Sequence, residues 1–162
     1  MNIYKILICI FIMIYILEFY IKYTTYIRLP SLIKFKNPIK YIRGIPKIIF
    51  RTHKHRYINT MMYNDAHISW LKHNPDYNIV WYNNRQCDKF MEDFGERENN
   101  AYKKLIPGAF KADLWRLCVL YKFGGIYVDS YAVCCESMNK IINKGTSKGK
   151  KHQFISDRKS VV

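Results

Sequence analysis

The sequence has no C-x-x-C pair, no cluster of histidines and no N-x-S/T sequon. The first two absences argue against a structural zinc site, whose ligands usually come as closely spaced pairs. The third leaves glycosylation silent about compartment. The five cysteines, Cys9, Cys87, Cys118, Cys134 and Cys135, are odd in number and irregularly spaced. They define no disulfide framework, and the adjacent Cys134 and Cys135 would make only a strained bridge. Acids are scarce too: 12 Asp and Glu stand against 27 Lys and Arg, a formal charge of +15.

Such an excess would suit a nucleic-acid binder if the folded region carried it. It sits in the flanks instead. Up to Gly44 seven basic residues face the single acid Glu18, from Ile45 to Lys140 fourteen face ten, and from Ile141 onward six face one. Basic ends of this kind are solvated tails or membrane-surface contacts, so nucleic acid is not an expected partner. With 49% hydrophobic and 16% aromatic residues, wholesale disorder is excluded. The 162 residues hold one small domain with extensions, not two full cores.

The longest apolar run is "IYKILICIFIMIYILEFYI", Ile3 to Ile21, interrupted only by Lys5 and Glu18 near its ends. At about 1.5 Å per residue it matches the roughly 30 Å hydrocarbon layer of a bilayer. Tyr4, Tyr15, Tyr20 and Tyr23 suit the two interfaces. No A-x-A-like cleavage site follows, so residues 1–22 are expected to form an uncleaved single-pass anchor. Lys22, Arg28, Lys34, Lys36, Lys40 and Arg43 follow the span whereas only Lys5 precedes it, which favours a cytoplasmic C-terminal part. Residues 23–44, with Pro30 and Pro38, read as a basic stem, 45–140 as the folded domain and 141–162 as a basic polar tail.

Within the folded region, "IPKIIF" reads as a buried strand that runs into a polar loop, "RTHKHR". A helix is expected from Tyr57 to Lys72, ended by Asn74-Pro75-Asp76. "YNIVWY" makes a second strand, and "NNRQCDKFMEDF" a helix opened by asparagine. "AFKADLWRLCVLYKF" places Phe110, Leu114, Leu117, Cys118 and Tyr121 at helical spacing, which predicts a helix. Gly124-Gly125 stops that helix, and "IYVD" follows as a central strand tipped by Asp129. This alternation predicts an α/β fold with a largely parallel sheet, in which ligands bind at the carboxyl ends of strands. Asp113 and Arg116, three apart, share one helix face.

Taken together, "IPKIIFRT", "NPDYNIVWY" and "PGAFKADLWRLCVLYKFGGIYVDS" resemble the glycosyltransferase sugar-binding region that carries a DXD motif. That family includes the initiating α-1,6-mannosyltransferases and, more distantly, the large glucosylating toxins. The resemblance covers Ile45 to Lys140, and the D-x-x-R helix, Gly-Gly stop and acid-tipped strand in fixed order are its most specific part. It implies a GT-A fold, a Rossmann-like sheet that binds a nucleotide sugar with a divalent metal, Mn²⁺ or Mg²⁺. It implies catalytic roles for Asp129, Asp113 and Arg116, and donor contacts from Asp113, Arg116, Gly125, Tyr127, Asp129, Arg51 and Thr52. Asp129 would stand as the first DXD acid and metal ligand. A hexose, mannose among the candidates, would pass with retention to a glycan, protein or lipid acceptor, at a Golgi- or ER-type membrane.

Two departures stand out. Tyr131 occupies the place of the second DXD acid, and a neutral phenol is a weak ligand for Mg²⁺ or Mn²⁺. Only about thirty residues follow Asp129, and they turn polar and lysine-rich. The alternatives are therefore a truncated or degenerate homologue that at most binds nucleotide sugar, and a membrane-tethered basic adaptor for anionic lipid or RNA.

Overall fold

The computed structural model describes residues 3–24, 26–28, 38–55, 57–59 and 63–145. Much of the expected stem and the tail beyond 145 lie outside them. Helix α1 (Ile3–Thr24) contains the apolar run. It is the one helix among the described residues long and apolar enough to cross a membrane by length and composition, and none of it is buried against the rest of the chain.

The heart of the fold is a three-stranded parallel sheet. Its central strand is β4 (Ile48–His53), between β6 (Asn78–Asn83) and β7 (Ile126–Tyr127). The acid-tipped strand is thus an edge among the described residues, not the centre. It is also short: after Tyr127, only the Val128 N–H to Phe50 carbonyl bond (2.9 Å) continues the pairing. The loop expected after Phe50 is strand as well, because Arg51, Thr52 and His53 pair in register with Trp81, Tyr82 and Asn83.

Alternation along β4 divides the interior. Ile48 and Phe50 face a core with Cys87, Phe90, Met91, Tyr102, Trp115, Cys118 and Val119. Ile49 faces the other way, onto Trp70, Tyr77 and Cys134. The first core is roofed by α3 (Asn84–Phe94), α4 (Glu96–Lys104) and α5 (Gly108–Phe123). Asn83 caps α3 reciprocally: its side-chain oxygen accepts from the Gln86 N–H and its own N–H donates to Gln86 Oε1, both at 3.0 Å. Helix α4 has acids in its first turn and lysines in its last, in agreement with the helix dipole.

The region expected as one long helix is divided. β5 (Tyr57–Asn59) pairs antiparallel with β1 (Tyr26–Arg28), and a π-helical turn over Tyr63–Ile68 leads into α2 (Ser69–His73). Across the expected boundary of stem and domain, β2 (Tyr41–Ile42) and β3 (Ile45–Pro46) form a small hairpin whose turn residues, Arg43 and Gly44, both have positive φ. A last helix, α6 (Met138–Gly145), packs Ile142 inward.

The helix expected over "AFKADLWRLCVLYKF" is present as α5, and its apolar positions divide between core and surface. Trp115, Cys118 and Val119 are buried, whereas Phe110, Leu117 and Tyr121 are 55%, 58% and 88% exposed. This helix is apolar on several faces, so spacing alone could not select the buried one. The sheet does so by position. Trp115→Ala is expected to cost about 3–5 kcal/mol and Tyr121→Ser less than about 0.5 kcal/mol, read as urea midpoints of the full chain in detergent.

Burial pushes the phenols of Tyr77, Tyr82 and Tyr127 up to about 12, from an ordinary value near 10. Their pKa is higher folded than unfolded, so the associated stability is complete below pH 10 and is lost as pH rises through 12. Ionisation of Tyr77, Tyr82 and Tyr127, followed at their individual ring resonances, should therefore coincide with loss of helical circular dichroism in that window. Ionisation of these three with the helix signal intact would contradict this.

Candidate active site at the carboxyl edge of the sheet

The strand alternation that builds the core also sorts the site residues. Thr52 lies two residues beyond Phe50 on the α5 side of β4, and Tyr127 of β7 pairs beside Phe50 on that side. Their hydroxyls are hydrogen-bonded at 3.1 Å. Two residues beyond Tyr127 comes Asp129, on the same side. From above, Arg116 of α5 descends onto this edge. Its guanidinium lies 4.5 Å from the centre of the Tyr127 ring, 2.5 Å from the Asp113 carboxylate and 3.8 Å from that of Asp129. Asp113 and Asp129 are solvent-exposed and Arg116 is half-buried. Tyr127, neutral and partly buried, forms the floor.

Arg51 is placed differently from a donor ligand. It is 0% exposed and points to the opposite face of the sheet, beneath the Asp129 loop. Its Nη2 donates to the carbonyls of Asp129 (3.1 Å), Ser130 (2.7 Å) and Ala132 (3.2 Å), and its Nη1 to that of Ala66 (3.5 Å). The guanidinium centre lies 4.7 Å from the Trp81 ring and 5.9 Å from that of Trp70. Burial lowers its pKa to about 10, which keeps it charged at neutral pH. Trp70 Nε1 donates to the Ala132 carbonyl (2.7 Å), and the Cys134 N–H donates to Ser69 Oγ (2.8 Å). The loop is thus held from below by β4 and α2.

Gly125 is also elsewhere. It stands at the amino end of β7, the end away from Asp129, and has φ +90°. A Cβ there would come 2.7 Å from the Ile48 carbonyl, so glycine lets β7 lie close to β4. Gly125→Ala should therefore lower stability by more than about 1 kcal/mol in urea titrations, through backbone strain and the clash.

A family model described as the glycosyltransferase sugar-binding region containing DXD motif matches residues 61–148, more than half of the chain. The chain belongs to this family. No curated protein and no solved structure gives a match. Asp113, Arg116, Gly125, Tyr127 and Asp129 lie within the matched span; Arg51 and Thr52 on β4 lie before it.

Members of this family generally depend on a divalent metal. The side chains at this edge do not make a complete site for one. Among the described residues no three of His, Cys, Asp and Glu converge as ligands. Tyr131 is at the second DXD position, and its ring stands edge-on to His53, with 6.4 Å between ring centres. Asp129 already faces the Arg116 cation. Two carboxylates and two guanidinium groups balance at the loop, whereas hard divalent ions favour a surplus of anionic oxygens. The buried polar atoms without a hydrogen-bond partner here, Nε of Arg51 and Nε of Arg116, are both cationic donors. The balance suits an anion better than a cation.

Of the residues that shape this edge, Trp70, Trp81 and Ser69 were not among the expected site residues. The register that sets Trp81 beside Arg51 is fixed by strand pairing, so no local signal named it.

Proposed function

We propose that the chain is a membrane-anchored glycosyltransferase of the GT-A type, which transfers a hexosyl group from a nucleotide sugar to a glycan, protein or lipid acceptor with retention. The observation that carries this reading is the meeting of Asp113, Arg116, Tyr127 and Asp129 at the carboxyl edge of a parallel sheet, within the family region. Carboxyl ends of such strands are the usual ligand crevice of α/β sheets.

The chemistry follows from charge. Departure of a nucleoside diphosphate places growing negative charge on its β-phosphate. Arg116 presents a planar fork of donors suited to two phosphate oxygens, and Tyr127 beneath it limits its freedom. Asp129 and Asp113 accept hydrogen bonds from hydroxyls of the donor and orient the electron-poor sugar. Tyr127, hydrogen-bonded to Thr52, supplies an apolar face and no proton at neutral pH.

Helix α1 would tether this domain to a bilayer, as its length and apolar composition allow. A non-catalytic nucleotide-sugar binder is the second reading, favoured by Tyr131 at the place of an acid.

The test is donor turnover by the full chain in detergent, across a panel of UDP- and GDP-hexoses, with and without Mn²⁺. Release of UDP or GDP is expected from at least one donor. Asp129→Asn and Arg116→Ala should each lower it by about 100-fold, the scale of losing one charged transition-state contact. Nucleotide binding without turnover across the panel would select the second reading.

A further inference from the structure

Each face of the sheet contributes one guanidinium to the segment that carries Asp129. Arg116 approaches from the α5 side, and Arg51 lies beneath on the Trp70 and Trp81 side. Only the first is within reach of a ligand. The second is wholly buried, and its bonds go to main-chain carbonyls at positions 129, 130 and 132.

This loop has an unusual need. Among the described residues no strand pairs with β7 after Val128; the Ala132 N–H donates to the Asp129 carbonyl (3.1 Å) and Trp70 Nε1 to that of Ala132 (2.7 Å), which leaves the carbonyl of buried Ser130 to Arg51. Buried carbonyls without donors are costly. In a metal-dependent site, a divalent ion held by two acids would help to order such a loop. Here the second acid is absent, and a cation of the chain itself is already bonded to the loop from behind. The parallel register requires this placement. It sets Arg51 beside Trp81, so the guanidinium lies over an indole and cannot swing to the α5 side without crossing its own strand.

We propose that Arg51 is a positioning residue that takes over the loop-ordering part of the divalent ion's role, so that this chain binds nucleoside diphosphates through Arg116 without a metal. The inference rests on the nucleotide-sugar reading of the site. It goes further in assigning the cation to the protein, and in giving a role to a residue outside the span matched by the family.

The experiment uses the full chain in detergent, with UDP and GDP as probes. Affinity is measured by calorimetry in EDTA and in Mn²⁺, and amide exchange is followed at residues 129–133 and in α3. The expected result is a Kd for one nucleotide that agrees within about threefold between the two conditions, with slow loop exchange that EDTA does not accelerate. Binding that requires Mn²⁺ would overturn the inference and leave the nucleotide-sugar reading standing. Absence of binding by both nucleotides in both conditions would overturn that reading, and the inference with it.

Arg51→Lys retains a charge but loses the fork. It should weaken nucleotide binding by at least about tenfold and accelerate exchange in the loop while α3 stays protected. In Arg51→Lys combined with Tyr131→Asp, a second acid is present and Mn²⁺ should restore binding. A role in folding alone would give no such metal rescue, and its absence would overturn the proposal. Should the lysine variants lose α3 protection, the comparison of EDTA with Mn²⁺ on the unaltered chain still decides.

Discussion

The buried guanidinium of Arg51 is the constraint on which the functional edge depends. A short edge strand must deliver Asp129 to a fixed place although the sheet ladder ends just before it. Three loop carbonyls accept from the planar N–H groups of this one side chain, with the Ala132 N–H and Trp70 Nε1 as second donors to those of Asp129 and Ala132. Desolvating the charge lowers the pKa of Arg51. Hydrogen bonds and two neighbouring indoles offset that cost well enough for the cation to persist. Trp70 and Ser69 extend the same support to Ala132 and Cys134. Asn74 then ties this segment to the start of α6, its side-chain amide donating to Cys134 Sγ and its oxygen accepting from the Met138 N–H.

This arrangement divides labour between the two faces of one sheet. The α5 face carries what a ligand can touch, and the Trp70 face carries what holds the loop still. The division follows from period-two alternation on β4, where Phe50 and Thr52 point one way and Ile49 and Arg51 the other. On α5 the carboxylate of Asp113 shares the exposed side with Phe110, Leu117 and Tyr121. The open edge of the site is therefore bordered by apolar surface. Two surface hollows elsewhere, one near Pro38 and Asp76 and one near Asp88 and Lys111, include no residue of the carboxyl edge.

Much of the plan was legible in the residues. The parallel α/β alternation, the Asn83 cap, the glycine stop after Phe123 and the pairing of Asp113 with Arg116 each rest on short-range rules. These are helix spacing, capping and backbone sterics. What failed involved competition. "RTH" looks like loop by polarity, yet pairing with β6 draws it into the strand. "YIN" looks like the start of a helix, yet it pairs with residues about thirty positions earlier. Several faces of α5 are apolar, so periodicity offered no unique choice.

The sequence by itself determined which chemical groups stand near one another: an acid at a strand tip, an acid and an arginine one helical turn apart, and a tyrosine where a second acid would bind metal. Those relations are local, and covalent spacing sets them. Only the tertiary structure decided that Arg51 turns to the Trp70 face of the sheet, away from Arg116, and that Gly125 lies at the far end of its strand. It also decided that Asp129 follows a strand that is, among the described residues, at the edge rather than in the centre. These depend on strand order and register, which bring together residues up to 81 positions apart. No local preference encodes them, because side-chain direction in a sheet has meaning only once its partners are chosen.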